Sequence, residues 1–274
     1  MNSDPPPKSN NPQKSGQPTS LRLELQNTTL APIPSLKELQ TLTAFAYLCL
    51  LGGTNQPQDV DLAIDLFQKC ADKEFGPAYL ALSRIYVYQK DYYSNLMHLI
   101  SMKKAADLGM AEAQFNYGLA NYLGRDGLDI NKAFGLEFLE KAVANGWLEA
   151  YVKLGFIYLN GDGTPKRDVD RGLKLVREGL AMDIDVELFD FQGLLDHDVV
   201  FQINLSEVLN NVRDQRITVI KGATFLLAKY LCEKNAPGDR EEAVDLIINC
   251  VELYNDYSMI RDFNNLIKLF NLKI

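Results

Sequence analysis

Apolar positions along the chain recur at helical spacing, and the helices they predict come in pairs that restart on a nearly constant beat. Segments of shared pattern begin at Ala44, Ala78, Ala113, Ala150, Val186 and Ala223, so the intervals are 34, 35, 37, 36 and 37 residues. That period belongs to stacked helical hairpins. With each start as position one, position five is large and apolar (Leu48, Leu82, Tyr117, Leu154, Leu227) and position six is small (Cys49, Ser83, Gly118, Gly155, Ala228). A bulky side chain beside a small one lets a second helix approach closely while the bulk fills the gap. Gly124 with Gly127, Gly161 with Gly163, and Pro237 with Gly238 mark the loops, and Asp59, Asp129, Asp168 and Asp239 are placed to open the helices that follow. Two units depart from the pattern. The second has Gln89-Lys90-Asp91-Tyr92-Tyr93 instead of a glycine loop, and the fifth has Phe191 at position six.

The ends read differently. Residues 1–20 hold five prolines and almost nothing apolar, the composition of a disordered tail. Leu21, Leu23 and Leu25 alternate with polar residues as a short extended segment does. Ser35 and Glu38 form a capping-box signature, so the first helix is expected from there to about Leu51, and Asp239 with Glu242 repeats the signature. Ile260, Phe263, Leu266, Ile267 and Phe270 give one apolar face opposite Arg261, Asp262, Asn264, Asn265 and Lys268. This is a lid that shields the apolar end of the stack, or the first half of a seventh unit. The expected fold is all-α: a right-handed α-α superhelical solenoid of about six helix-turn-helix repeats over 44–255. A tail (1–20) and an extension containing the start of the first helix (21–43) precede it, and a capping helix (256–274) closes it.

The run Ala150 to Gly163 (AYVKLGFIYLNGDG), the segment Ala113 to Gly146 and the Lys-Ala-Ala-x-x-Gly ending before Met110 carry a family resemblance. The chain resembles Sel1-like repeat proteins, a branch of the tetratricopeptide-like solenoids, over residues 78–182, and by period and size pattern alone over 44–77 and 223–255. The resemblance implies a non-catalytic adaptor or scaffold that assembles complexes, frequently in bacterial signalling, secretion or host interaction. Tetratricopeptide geometry then puts positions three, seven, ten and eleven of each first helix on a concave face. That gives Leu80, Arg84, Val87, Tyr88, Phe115, Leu119, Tyr122, Leu123, Val152, Phe156, Leu159 and Asn160. Positions three and ten are equally explained as core. Arg84, Tyr88, Phe115, Leu119, Tyr122 and Phe156 are the candidate partner contacts, since aromatic and Arg anchors usually carry binding energy.

Charge adds a second candidate surface. The net charge of −8 equals the content of one stretch: from Glu178 to Val212 there are eight acids and no Lys or Arg. Six of them, Asp183, Asp185, Glu187, Asp190, Asp196 and Asp198, cluster just before and within the irregular fifth repeat. They form either a solvated face or a docking patch for a basic partner segment, whose approach they would steer. Nucleic acid is disfavoured, because phosphate binding needs clustered cations.

Chemistry is sparse. His197 between Asp196 and Asp198 lacks a further spaced ligand pair, His98 sits in an apolar helical setting, and the Asn160-Gly161-Asp162-Gly163 turn lacks the later ligands of a calcium loop. No nucleophile elbow or phosphate-cradling loop occurs, so no enzyme, metal or cofactor is expected. Cys49 with Cys70 and Cys232 with Cys250 fall in the two helices of the first and last repeats, where they either fill helix interfaces or pair. No bilayer-length apolar run and no signal-peptide pattern occur, and the expected address is cytoplasmic, with export as an effector the alternative. The functional readings are a scaffold that grips a protein or peptide, an inhibitor or immunity-type protein that occludes a basic toxin or enzyme, and a bacterial effector or envelope-associated scaffold.

Overall fold

The computed structural model describes residues 35–52, 57–89, 91–163, 166–182, 205–254 and 257–272, with side chains of the long ninth helix from 214 and of the last helix from 261. The tail, the 21–25 segment, Phe191, His197 and the six clustered acids Asp183, Asp185, Glu187, Asp190, Asp196 and Asp198 lie outside the described residues. Within them every element is a helix: α1 Leu36–Leu51, α2 Val60–Ala71, α3 Gly76–Gln89, α4 Tyr92–Asp107, α5 Ala111–Leu123, α6 Lys132–Ala144, α7 Leu148–Asn160, α8 Val169–Leu180, α9 Leu205–Lys234, α10 Asp239–Tyr254 and α11 Tyr257–Phe270. Each odd-numbered helix from α1 to α9 packs chiefly on the helix after it, and successive hairpins touch through neighbouring helices. This is the contact pattern of a stacked array.

Repeating backbone contacts set the hairpins. Ser35 and Glu38 form the capping box, with Ser35 N–H donating to Glu38 Oε2 (2.7 Å) and Glu38 N–H to Ser35 Oγ (3.3 Å). Asp59, Asp91, Asn131 and Asp168 cap α2, α4, α6 and α8 by accepting a backbone N–H three residues on. The cap's own N–H in turn binds the preceding helix, as Asp59 to Cys49 O (2.8 Å), Asn131 to Asn121 O (2.8 Å) and Asp168 to Tyr158 O (3.1 Å). Asn131 therefore takes the place expected of Asp129. At the far end of the hairpins Gly109 (φ 87°) and Gly146 (φ 76°) turn the chain in the left-handed region, while Glu74 (φ 56°) does so without glycine.

Gly118 and Gly155, the glycines at position six, are close-approach points. A Cβ on Gly118 would lie 2.9 Å from Gly135 O, and one on Gly135 would lie 2.7 Å from both Gly118 O and Tyr122 N. One repeat later Gly155 and Gly172 face each other likewise, at 3.0 and 2.8 Å from each other's carbonyl oxygens. Cys49, Cys70, Cys232 and Cys250 are buried thiols, and burial pushes Cys70 and Cys232 up.

Two expectations need correction. No helix starts near Ala223: α9 runs 30 residues through it, about 45 Å at helical rise. Gly222 is the one glycine of this helix, and one glycine does not stop a helix. Asp239 opens no capping box with Glu242, because its carboxylate accepts from Ala236 N–H (2.8 Å) while Glu242 is held by Arg177 (2.6 and 2.7 Å). That contact ties α8 to α10. The described residues thus comprise five hairpins and α11, with Phe263 and Leu266 of α11 buried against Ile247 and Cys250, and Arg261, Asp262, Asn264, Asn265 and Lys268 exposed.

Candidate interaction groove

Between the second and third hairpins the first helices α3 and α5 part to leave a groove of about 260 Å³. Leu80, Val87, Met102, Leu119 and Ala120 supply its apolar lining, and Ser83, Arg84, His98, Glu112, Asn116, Arg125 and Asp126 its polar one. Arg84 spans the two hairpins, its Nε 3.1 Å from Glu112 Oε1 and its Nη2 2.5 Å from Oε2. His98 Nδ1 lies 2.9 Å from the Ser83 carbonyl oxygen and 3.0 Å from Ser83 Oγ. A carbonyl can only accept, so Nδ1 donates to it.

Of the expected contacts, Arg84 and Leu119 line this groove and Tyr88, 81% exposed, stands one turn farther along α3. Phe115 and Phe156 are half-buried, packed against the neighbouring cores of Leu154 and Tyr122 and of Val176 and Leu227. Tyr122 is 2% exposed and is no groove residue. Its hydroxyl donates to the Asp162 carbonyl oxygen (2.9 Å), and the Lys132 amine stands 5.4 Å over its ring while pairing with the Asp162 carboxylate. Burial, then the Asp162 bond, push its phenol well above the usual range, and the Lys132 bond holds Asp162 below its own. Leu159, also at position ten, is fully buried. Position ten is core in these two hairpins because the next hairpin covers it.

Counting from position one missed Glu112, Asn116, Arg125 and the lining from α4. Glu112 sits at position zero, and Glu149 repeats it one unit later. A second, larger cleft between α6 and α8 is internally committed: Arg171 stacks 4.3 Å over Tyr158 and binds Glu140 (2.8 Å), which also accepts from Tyr158 Oη (2.7 Å). Burial and Glu140 push Tyr158 up to about 12. Around the outside of α4, Tyr92, Tyr93, Leu96 and Ile100 are exposed. Among the described residues no group of His, Cys, Asp and Glu is arranged to hold a metal ion, and no helix is long and apolar enough to cross a membrane.

A family model, the Sel1 repeat, matches residues 40–75, 111–147 and 148–180. No curated protein matches the chain. Solved structures similar to it include a Sel1 repeat protein from Oxalobacter formigenes, at 23% identity and a TM-score of 0.47 over 53% of this chain and 58% of that one. Another is a protective antigen present in uropathogenic Escherichia coli strains, displaying an SLR fold, at 22% identity and a TM-score of 0.47 over 74% of this chain and 39% of that one. The chain thus spans less than two thirds of the length of either.

Proposed function

We propose, from the premise that this chain is a Sel1-like repeat protein, that it works as a non-catalytic scaffold gripping a protein or peptide partner in the groove between α3 and α5. Proteins with these repeats are generally interaction scaffolds, and the stacked hairpins offer such a surface. The observation that carries the reading is the groove itself, with an apolar lining, an ion-paired Arg84 at its wall and the exposed Tyr88 ring beside it. Apolar floors with polar rims and aromatic or Arg anchors are the makings of a protein interface. Asn116 and Arg125, both exposed, supply donors for a partner's backbone and carboxylates. The acidic run from Glu178 to Val212 would add steering for a basic segment of the partner.

Affinity capture with the intact chain and with a Tyr88→Ala/Arg125→Ala variant, read by quantitative mass spectrometry, tests this. Both side chains are exposed, so melting should not change, while recovery of the specific partner should fall about tenfold or more. Equal recovery by both proteins would overturn the groove as the gripping surface.

A further inference from the structure

Arg84 occupies position seven of the second repeat and reaches Glu112, the residue just before the third repeat, with both prongs of its guanidinium. One repeat later Glu149 holds the register of Glu112, but the register of Arg84 is held by Leu119. The pairing seen between Arg84 and Glu112 therefore has no cation in register here. Among the described residues Glu149 Oε2 is buried and receives no hydrogen bond, and Trp147 Nε1, two residues earlier, is buried and donates none. Buried polar groups are rarely left in this state, and such exceptions call for an explanation. Burial raises the Glu149 pKa, and Glu112 nearby adds to the rise. The Arg216 side chain of α9 stands 5.9 Å over the Trp147 ring, and its charge favours ionised Glu149, yet no hydrogen bond joins it to either unpartnered atom. The indole face here already draws a guanidinium.

We propose that Trp147 and Glu149 form a receptor for an arginine side chain presented by the partner, the carboxylate taking the guanidinium as Glu112 takes that of Arg84. The proposal rests on the scaffold reading and names the chemistry of the segment gripped. Two features select arginine over lysine. The planar fork matches a carboxylate with two bonds, and guanidinium stacks on an indole while remaining weakly hydrated. Arg216 competes for the same face.

Trp147 is the single tryptophan of the chain, so its fluorescence and its indole N–H resonance report on this place alone. Acetyl-Gly-Arg-Gly-amide should shift both saturably, and the lysine counterpart should bind about fivefold or more weakly. Glu149→Gln should weaken the arginine peptide about tenfold, and Arg216→Gln should tighten it. Leu119→Arg supplies the missing guanidinium within the chain, so it should abolish the peptide shift and raise the melting temperature. A shift undiminished in Glu149→Gln, equal response to both peptides, or no response from the intact chain would overturn the proposal and leave a bridging water as the occupant. Partner capture that survives such a result, yet is lost in Tyr88→Ala/Arg125→Ala, would leave the scaffold reading standing.

Discussion

Replacing Gly135 by alanine should destabilise the array, while the same substitution at Gly222 should stabilise it. Both glycines are helical, so alanine gains about 1 kcal/mol of helix propensity at either site. They differ in what the new methyl meets. At Gly222 nothing lies within 4 Å, so the propensity gain stands alone. At Gly135 the Cβ would lie 2.7 Å from Gly118 O, 2.7 Å from Tyr122 N and 2.8 Å from Tyr122 Cβ, two of them backbone atoms. Reaching ordinary contact at 3.4 Å requires α5 and α6 to part by about 0.7 Å along much of their shared length. Overpacking of this kind costs about 1–3 kcal/mol, and with backbone on both sides the upper figure applies. After the propensity gain, Gly135→Ala should lose about 2 kcal/mol and Gly222→Ala gain about 1 kcal/mol. In thermal melts followed by circular dichroism these correspond to a fall of about 4–8 °C and a rise of about 2–4 °C. Melting shifts of the same sign in the two variants would refute the glycine-to-glycine crossing.

Two further outcomes follow from the stack. Tyr122→Phe keeps the buried ring but removes the hydroxyl that holds the Asp162 carbonyl of the next hairpin, which should cost about 1 kcal/mol in urea denaturation; an unchanged midpoint would show that bond to be idle. Burial raises the Glu149 carboxyl above its ordinary 4.5, so the folded chain holds that proton more tightly than the unfolded chain. Its contribution is full below pH 4.5 and is lost as pH rises through the folded value. The melting temperature of Glu149→Gln minus that of the intact chain should therefore grow from about pH 4 to about pH 7; a difference independent of pH would show the carboxyl to be unperturbed.

The hairpin geometry was legible because it is local. Ser35 with Glu38, Asp59 and Asp168 cap helices through bonds three residues long, and the small residues at position six announce close approach within one hairpin. Gly135 and Gly172, their opposite numbers, were not legible, because the repeating size pattern lies on the first helix of each pair and these glycines lie on the second. The long α9 was not legible, since the period predicts a restart at Ala223 while a single glycine, Gly222, without proline does not enforce one. The groove was partly legible. Arg84, Leu119 and Tyr88 followed from repeat register, but Tyr122 did not, because a residue at position ten is covered by the loop of the next hairpin, a contact 40 residues away in sequence. Glu112 and Glu149 stand at position zero, just before the repeating pattern begins, and the Arg84 contact with Glu112 reveals what that position can do.

Hydrogen exchange of the intact chain with and without its captured partner tests the central claim most directly. The account expects amide protection to rise along α3 and α5, where Arg84, Tyr88, Asn116 and Leu119 lie, with α2 and α10 unchanged. Protection confined to α10 and α11, or to the outer face of α4, would contradict the groove as the surface that holds the partner.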